Sequence, residues 1–162
     1  MKNFIKVLII VLLGFAFNYS LAYAAGTSNS NESKYKSSLY KQGKKLVLKA
    51  KKFEKKNRKE DAEKIYLKAL KVFEKAYAEN KKNADILNYL GFTLRKTGNF
   101  EKAEIFYLKG LEIEAEHLGI NEYLGELYVQ TNRIELAKKR LAVLDGCKCE
   151  EYEELKELIE NN

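Results

Sequence analysis

Residues 84–117 read ADILNYLGFTLRKTGNFEKAEIFYLKGLEIEAEH, and the pattern of small and apolar residues in this stretch recurs in the stretch that follows it. Leu90 falls on Leu124 and Ala103 falls on Ala137, which gives an offset of 34 residues (124 − 90). Self-similarity at a fixed period of this length indicates an array of stacked structural repeats. The chain is therefore expected to build its core by stacking similar units along one axis.

Each unit consists of two amphipathic helices joined by a turn. The first helix carries small or apolar residues at the helical spacing i, i+3, i+4 and i+7, namely Leu87, Leu90, Gly91 and Leu94. Gly98 is suited to the left-handed conformation that ends the first helix, and Asn99 can cap the second helix. Asn83 or Asp85 is expected to cap the first helix. Gly91 is small enough to let two helices cross closely.

This pattern resembles the tetratricopeptide repeat family. Leu87-x-x-Leu90-Gly91-x-x-Leu94 corresponds to the W-x-x-L-G-x-x-Y motif of the family, and Ala103-x-x-x-Tyr107-x-x-Gly110 corresponds to its A-x-x-x-F-x-x-A motif. Ala115 stands where the family usually has a closing Pro. The resemblance implies an all-α fold, a right-handed helical solenoid of about three helix-turn-helix repeats with a C-terminal capping helix.

The N-terminal pattern, the composition and the resemblance together predict the division of the chain. We expect a signal peptide at 1–24, a flexible linker at 25–33 and a repeat domain at 34–162, which contains a degenerate repeat at 43–83, repeats at 84–117 and 118–148, and a capping helix at 149–162. The second helix of the degenerate repeat fits the family pattern in two registers that are seven residues apart. Seven residues are about two helical turns, so this helix is predicted to be two turns longer than usual.

The N-terminus has the features of an export signal. Lys2 and Lys6 precede an almost wholly apolar run from Phe4 to Phe17, and Ala22-Tyr23-Ala24 supplies a small-x-small cleavage pattern. Cleavage would release an exported, periplasmic protein that begins at Ala25. The alternative is an uncleaved helix that anchors the protein in the inner membrane.

Charge is divided unevenly along the chain. From Glu32 to Lys82 there are 18 Lys and Arg against 7 Asp and Glu, and from Asn83 to Asn162 there are 10 against 16. The basic half is either a solvated helix face or a surface that attracts anionic lipid or another envelope polymer. Because the chain contains no nucleic-acid recognition motif, nucleic acid is not an expected partner.

Cys147 and Cys149 are separated by a single residue in the loop before the last helix. An exported protein meets an oxidising compartment, so the two residues form a possible disulfide. The structural interpretation is a clip that fixes the last turn or two loop thiols near an interface. The functional interpretation is a labile pair in a thiol-redox accessory or half of a soft-metal site. The neighbouring Glu150 and Glu151 disfavour a thiolate, and this favours the structural role.

No catalytic constellation emerges from the sequence. His117 stands without a recognisable nucleophile or ligand set, and the chain contains neither a phosphate-binding Gly-rich loop nor a zinc motif. We therefore predict a protein that is not an enzyme and that has no catalytic residues, no metal and no cofactor.

Relatives in the tetratricopeptide repeat family bind partners in a concave groove lined by the first helix of each repeat. Transferred to this chain, the resemblance implies a partner-binding groove formed by Asn88, Tyr89, Phe92, Arg95, Lys96, Glu122, Tyr123, Glu126 and Gln130. For Tyr89 and Phe92, packing under a neighbouring repeat is an equally good interpretation. A clamp for a peptide carboxylate is disfavoured, because Asn88 and Phe92 occupy the places of its Lys and Asn.

The C-terminal part of the chain is similar to a group of exported bacterial tetratricopeptide proteins. The similarity rests on His117, Gly119, Glu122, Tyr123, Gly125, Glu126, Tyr128, Cys147, Cys149, Glu150, Glu151, Tyr152 and Leu155. The two Cys are closer together here than in the group. We expect a non-catalytic periplasmic scaffold that binds a protein or peptide, with a membrane-tethered protein that uses its Lys-rich half as the alternative. The sequence leaves the oligomeric state open.

Overall fold

The computed structural model describes residues 28–162, with side chains from Ser38 onward. These residues form seven α-helices and no strand: α1 (Ser28–Lys55), α2 (Lys59–Glu79), α3 (Ala84–Lys96), α4 (Phe100–Ile113), α5 (Leu118–Gln130), α6 (Ile134–Leu144) and α7 (Glu150–Glu160). Successive helices pack in pairs, α1 with α2, α3 with α4 and α5 with α6, and α7 covers α5 and α6. The fold is thus an all-α helical solenoid of three helical hairpins and a terminal helix.

Local sequence signals explain where the helices begin and end. The Asn83 side chain accepts a hydrogen bond from the backbone N–H of Ile86 at 2.9 Å, and the Asn99 side chain caps α4 in the same way. Such caps satisfy backbone donors that have no partner within the helix. Gly98 and Asn132 have φ values of 80° and 58° in the turns after α3 and α5. The predicted caps at Asn83 and Asn99 and the predicted turn at Gly98 are therefore confirmed.

Small residues set the distance between paired helices. A Cβ atom at Gly91 would overlap the ring of Tyr107, which is fully buried, and Ala103 on the facing helix is also fully buried. Gly125, at the equivalent position of the next repeat, permits close approach to α7 instead, because a Cβ atom there would overlap the side chain of Leu155. Close approach of the helices lets the large side chains fill the space between neighbouring repeats at high packing density.

The length of α2 agrees with the prediction, whereas the start of α1 corrects the predicted linker. Helix α2 has 21 residues and α4 has 14, a difference of two turns, as the two alternative registers predict. Helix α1 begins at Ser28, inside the predicted flexible linker at 25–33. The linker prediction is therefore wrong for 28–33. This stretch contains neither Pro nor Gly, so no residue in it interrupts a helix that extends from the repeat domain.

The predicted signal peptide at 1–24 lies outside the described residues. Between residues 28 and 162, no helix combines the length and the apolar character that crossing a membrane requires.

Candidate functional site

The first helix of each hairpin lies beside the first helix of the next, and α7 continues the row after α5. Aromatic side chains join these helices. The ring centroids of Tyr40 on α1 and Tyr89 on α3 are 5.7 Å apart, and those of Phe92 on α3 and Tyr123 on α5 are 4.8 Å apart. We call the surface formed by α1, α3, α5 and α7 the first-helix face. All nine predicted groove residues belong to α3 or α5 and thus to helices of this face.

The structure buries several of the predicted groove residues more deeply than an open groove requires. Four are buried, namely Asn88, Phe92, Arg95 and Glu122. Four are half-buried, namely Tyr89, Lys96, Tyr123 and Glu126, and Gln130 is exposed. Phe92 retains only 2% of its surface and belongs to the core between α1, α2 and α3. The accessible aromatic surface of the first-helix face therefore belongs to its half-buried tyrosines rather than to Phe92.

Helix α1 reaches across α3 to α5 through Lys51. The Lys51 ammonium lies 3.5 Å from the hydroxyl oxygen of Tyr123 and 5.1 Å from the ring centroid of Phe92. Its charge therefore faces the electron-rich aromatic rings. Sequence analysis missed Lys51, because one Lys among many on a Lys-rich helix has no distinguishing spacing. Only the folded chain brings it to Tyr123.

A buried ion pair lies beside these rings. One terminal nitrogen of the Arg95 guanidinium is 2.7 Å from a carboxylate oxygen of Glu126, and only 2% of the Arg95 side chain is exposed. The guanidinium also lies 5.6 Å from the ring centroid of Phe92 and 5.7 Å from that of Tyr123. Burial makes this pair costly to break, because the partner left behind would be an uncompensated charge.

Three carboxyl groups converge between α5 and α7. Oxygen atoms of Glu122, Glu126 and Glu154 all lie within 4.8 Å of one another. Burial raises the pKa of Glu122 to about 9, and a hydrogen bond with Glu154 and the charge of Glu126 act in the same direction. Glu122 is therefore protonated at neutral pH. The Arg95 guanidinium pairs with Glu126, and the protonated Glu122 can donate a hydrogen bond to Glu154.

An open cavity of about 350 Å³ lies on the first-helix face, between the middle of α1 and the N-terminal halves of α3, α5 and α7. We call it the face pocket. Three aromatic side chains line it, Tyr40, Tyr89 and Tyr123, and four side chains with carboxyl groups line it as well, Asp85, Glu114, Glu122 and Glu151. A cavity of this size falls within the range of ligand-binding pockets in proteins.

His117 has a structural role at the edge of the face pocket. Its Nδ1 accepts a hydrogen bond from the backbone N–H of Ile120 at 3.2 Å and so caps α5. Its Nε2 lies 3.6 Å from a carboxylate oxygen of Asp85, which also accepts a hydrogen bond from the Tyr40 hydroxyl at 3.2 Å. These contacts join α1, α3 and α5 at one rim of the pocket.

The two Cys form a disulfide in the loop between α6 and α7. Cys149 is the residue that immediately precedes α7, and its side chain makes no capping hydrogen bond. The disulfide thus closes the short link between the third hairpin and the terminal helix.

The chain is similar to known repeat proteins. Residues 55–115 match the family model for the tetratricopeptide repeat. No curated protein matches the chain. Among solved structures, a tetratricopeptide repeat protein from Parabacteroides merdae ATCC 43184 is 19% identical, with a TM-score of 0.52 over 74% of this chain and 59% of that protein.

Two further structures are similar over nearly their whole length. The TPR domain of Arabidopsis OM64 is 14% identical, with a TM-score of 0.54 over 76% of this chain and 98% of that one. The first TPR of Spaghetti (RPAP3), bound to the HSP90 peptide SRMEEVD, is 17% identical, with a TM-score of 0.53 over 75% of this chain and 93% of that one. Together with the paired helices and the family match, these similarities establish that the chain has the tetratricopeptide repeat fold.

Proposed function

We propose that the protein is a non-catalytic periplasmic scaffold that binds a segment of a partner protein on its first-helix face. The observation that carries this proposal is the face pocket, where the half-buried Tyr89 and Tyr123 lie beside an open cavity. Aromatic side chains that are rigid and partly covered are typical anchors of protein interfaces. The similar TPR of Spaghetti is a peptide-bound example of the fold.

Retention of proteins from a native envelope extract tests this proposal. The bait is the chain from Ala25 onward, beside a Tyr89→Ala/Tyr123→Ala variant. Phe92 is left intact, because its truncation would open the core. The matched control is Tyr77→Ala/Tyr152→Ala, which removes two half-buried tyrosines outside the face pocket.

We expect a protein that the wild type and the control retain and that the face variant loses. Circular dichroism and thermal unfolding must first show that both variants are folded. A synthetic segment of that protein should then bind the purified domain with a Kd in the micromolar to millimolar range, as expected for a small interface. Retention of the same proteins by the wild type and the face variant would exclude the first-helix face as the binding surface.

Export is tested separately by cell fractionation and N-terminal mass analysis. A periplasmic scaffold should be recovered in the soluble envelope fraction with Ala25 as its first residue. An intact Met1 in the membrane fraction would instead favour the tethered form.

A second function is favoured by one specific observation. Four exposed lysines, Lys41, Lys45, Lys49 and Lys52, follow one another on α1 at intervals of four, four and three residues. This spacing places them along one stripe of the helix. Such a stripe can attract anionic lipid, because each Lys close to a charged membrane contributes about 1 kcal/mol.

Vesicle sedimentation tests this second function. The wild type should sediment with anionic vesicles at low salt, and a variant with all four lysines changed to Gln should not. The lysine stripe would have no membrane role if the wild type and the variant sedimented equally with anionic vesicles. The same would follow if the wild type sedimented equally with anionic and with zwitterionic vesicles.

A further inference from the structure

We propose that the face pocket receives the ammonium or guanidinium group of a Lys or Arg side chain from the bound partner. This inference rests on the proposed scaffold function and names the chemistry that the partner must present. It follows from the acceptors, the aromatic surfaces and the charge that the first-helix face brings to one cavity.

A buried acceptor in the wall of the pocket lacks a donor. Asn88 lines the cavity and is 95% buried, and its side-chain oxygen has no hydrogen-bond donor within the part of the chain that the structure describes. A buried oxygen without a partner costs free energy. This oxygen is closed to solvent, so a ligand N–H group would satisfy it once the Asn88 side chain turns it toward the cavity. Both ammonium and guanidinium groups carry several such donors.

The charge around the cavity is predominantly negative. Of the four lining carboxyl groups, Glu122 keeps its proton at neutral pH. The carboxylates of Asp85, Glu114 and Glu151 therefore face the lining ammonium of Lys44. Asp85 and Glu151 stand in the first turns of α3 and α7, where the helix dipole favours a carboxylate. Helix capping does not explain Glu114, which follows the C-terminal end of α4. Helix capping therefore does not explain all the carboxylates at the pocket.

The aromatic rings of the pocket already hold a cation. The ammonium of Lys44 lies 5.2 Å from the ring centroid of Tyr40 and 5.8 Å from that of Tyr89. Both distances are in the range of cation–π attraction. The position of Lys44 thus shows that a positive group is favourable beside these rings. The cavity next to Lys44 gives a basic side chain of the partner access to the same rings.

The same features disfavour an acidic ligand. A carboxylate in the pocket would face Asp85 and Glu151, and it would leave the Asn88 oxygen without a donor. Binding of a basic side chain brings opposite charges together, so salt should weaken it. The pocket should therefore distinguish a positive side chain from a neutral side chain of the same shape.

A matched pair of peptides tests this distinction. The first is acetyl-GSGRGSG-amide, and in the second the Arg is replaced by citrulline, which has nearly the same shape and no charge. Each peptide is titrated into the isotopically labelled domain, and the backbone amide signals are followed by NMR. Concentrations up to about 5 mM reveal a Kd in the millimolar range.

We expect the Arg peptide to shift the amide signals of Gly119 and Tyr89, with a Kd about tenfold lower than that of the citrulline peptide. The double variant Asp85→Asn/Glu151→Gln should weaken binding of the Arg peptide by about tenfold. The matched control Glu150→Gln/Glu153→Gln changes two carboxylates in the same first turn of α7 that do not line the pocket. It should leave the Kd unchanged.

Equal affinity for the two peptides, no binding of the Arg peptide, or equal weakening by the pocket and control variants would each overturn this inference. The scaffold function is tested independently by the partner segment from the envelope extract. If that segment binds the first-helix face and keeps its affinity when each of its Lys and Arg residues is neutralised, the scaffold stands and the pocket for a basic side chain does not.

Discussion

Replacement of Glu122 by Gln tests how burial controls a proton on the first-helix face. The pKa of Glu122 is raised from the usual 4.5 to about 9, first by burial and then by Glu154 and Glu126. In the unfolded chain this carboxyl ionises near its usual pKa, whereas in the folded chain it keeps its proton. Between these two pKa values the folded state binds one proton more than the unfolded state. The free energy of unfolding must therefore fall as the pH rises.

The size of this effect follows from proton linkage. A difference of one bound proton changes the free energy of unfolding by about 1.4 kcal/mol per pH unit. Between about pH 5 and pH 8 we expect Glu122 to lower it by roughly 2–4 kcal/mol, the upper value being the full slope over three units. Gln has nearly the shape of a protonated Glu and does not ionise. Glu122→Gln should thus match the wild type at pH 5 and exceed its stability at pH 8 by roughly the same 2–4 kcal/mol.

Urea unfolding of both proteins at a series of pH values measures this difference. Carboxyl groups outside this cluster titrate equally in the two proteins, so the difference between the unfolding curves isolates Glu122 together with its coupling to Glu126 and Glu154. Glu126→Gln is the informative control, because it removes the partner of the buried Arg95 and should destabilise the protein at every pH. The claim that Glu122 is buried and neutral would be refuted if Glu122→Gln were less stable than the wild type at pH 8. It would also be refuted if the difference in the free energy of unfolding did not change with pH.

Three further changes test the packing and the links of the solenoid. Leu155 is the one fully buried side chain of α7, so Leu155→Ala should lower the free energy of unfolding by about 2–5 kcal/mol in urea titrations. The Tyr66 hydroxyl donates a hydrogen bond to a carboxylate oxygen of Glu54 at 2.7 Å, so Tyr66→Phe should cost about 1–3 kcal/mol in the same assay. The disulfide of Cys147 and Cys149 closes a very small loop, so replacing both residues with Ser should cost less than about 2 kcal/mol in thermal unfolding under non-reducing conditions.

Sequence reasoning succeeded where local chemistry decides the structure. Asn83 and Asn99 cap helices because their short side chains reach backbone N–H groups within the same turn. Gly98 ends α3 because glycine adopts a positive φ without steric cost. The 34-residue offset predicts the hairpins for a similar reason, since both repeats require a small residue at this position, although Gly91 faces α4 and Gly125 faces α7.

The first-helix face was harder to predict because its exposure depends on residues from distant repeats. Phe92 and Arg95 occupy positions that face a groove in the family pattern, yet both are buried here. They are covered by Lys51 and by the aromatic side chains of neighbouring helices. The helical start at Ser28 escaped prediction for a related reason, since a polar stretch without an apolar period has no signal that separates a helix from a linker.

The bridge from Lys51 to Tyr123 has a consequence for how the molecule unfolds. In an ideal solenoid each repeat contacts only its neighbours, so the terminal repeats can unravel one at a time. Here α1 of the first hairpin touches α5 of the third, over the buried ring of Phe92. Loss of either end would uncover the ring of Phe92, which Lys51 contacts from one end and Tyr123 from the other. The described domain should therefore melt in one cooperative transition rather than fray repeat by repeat.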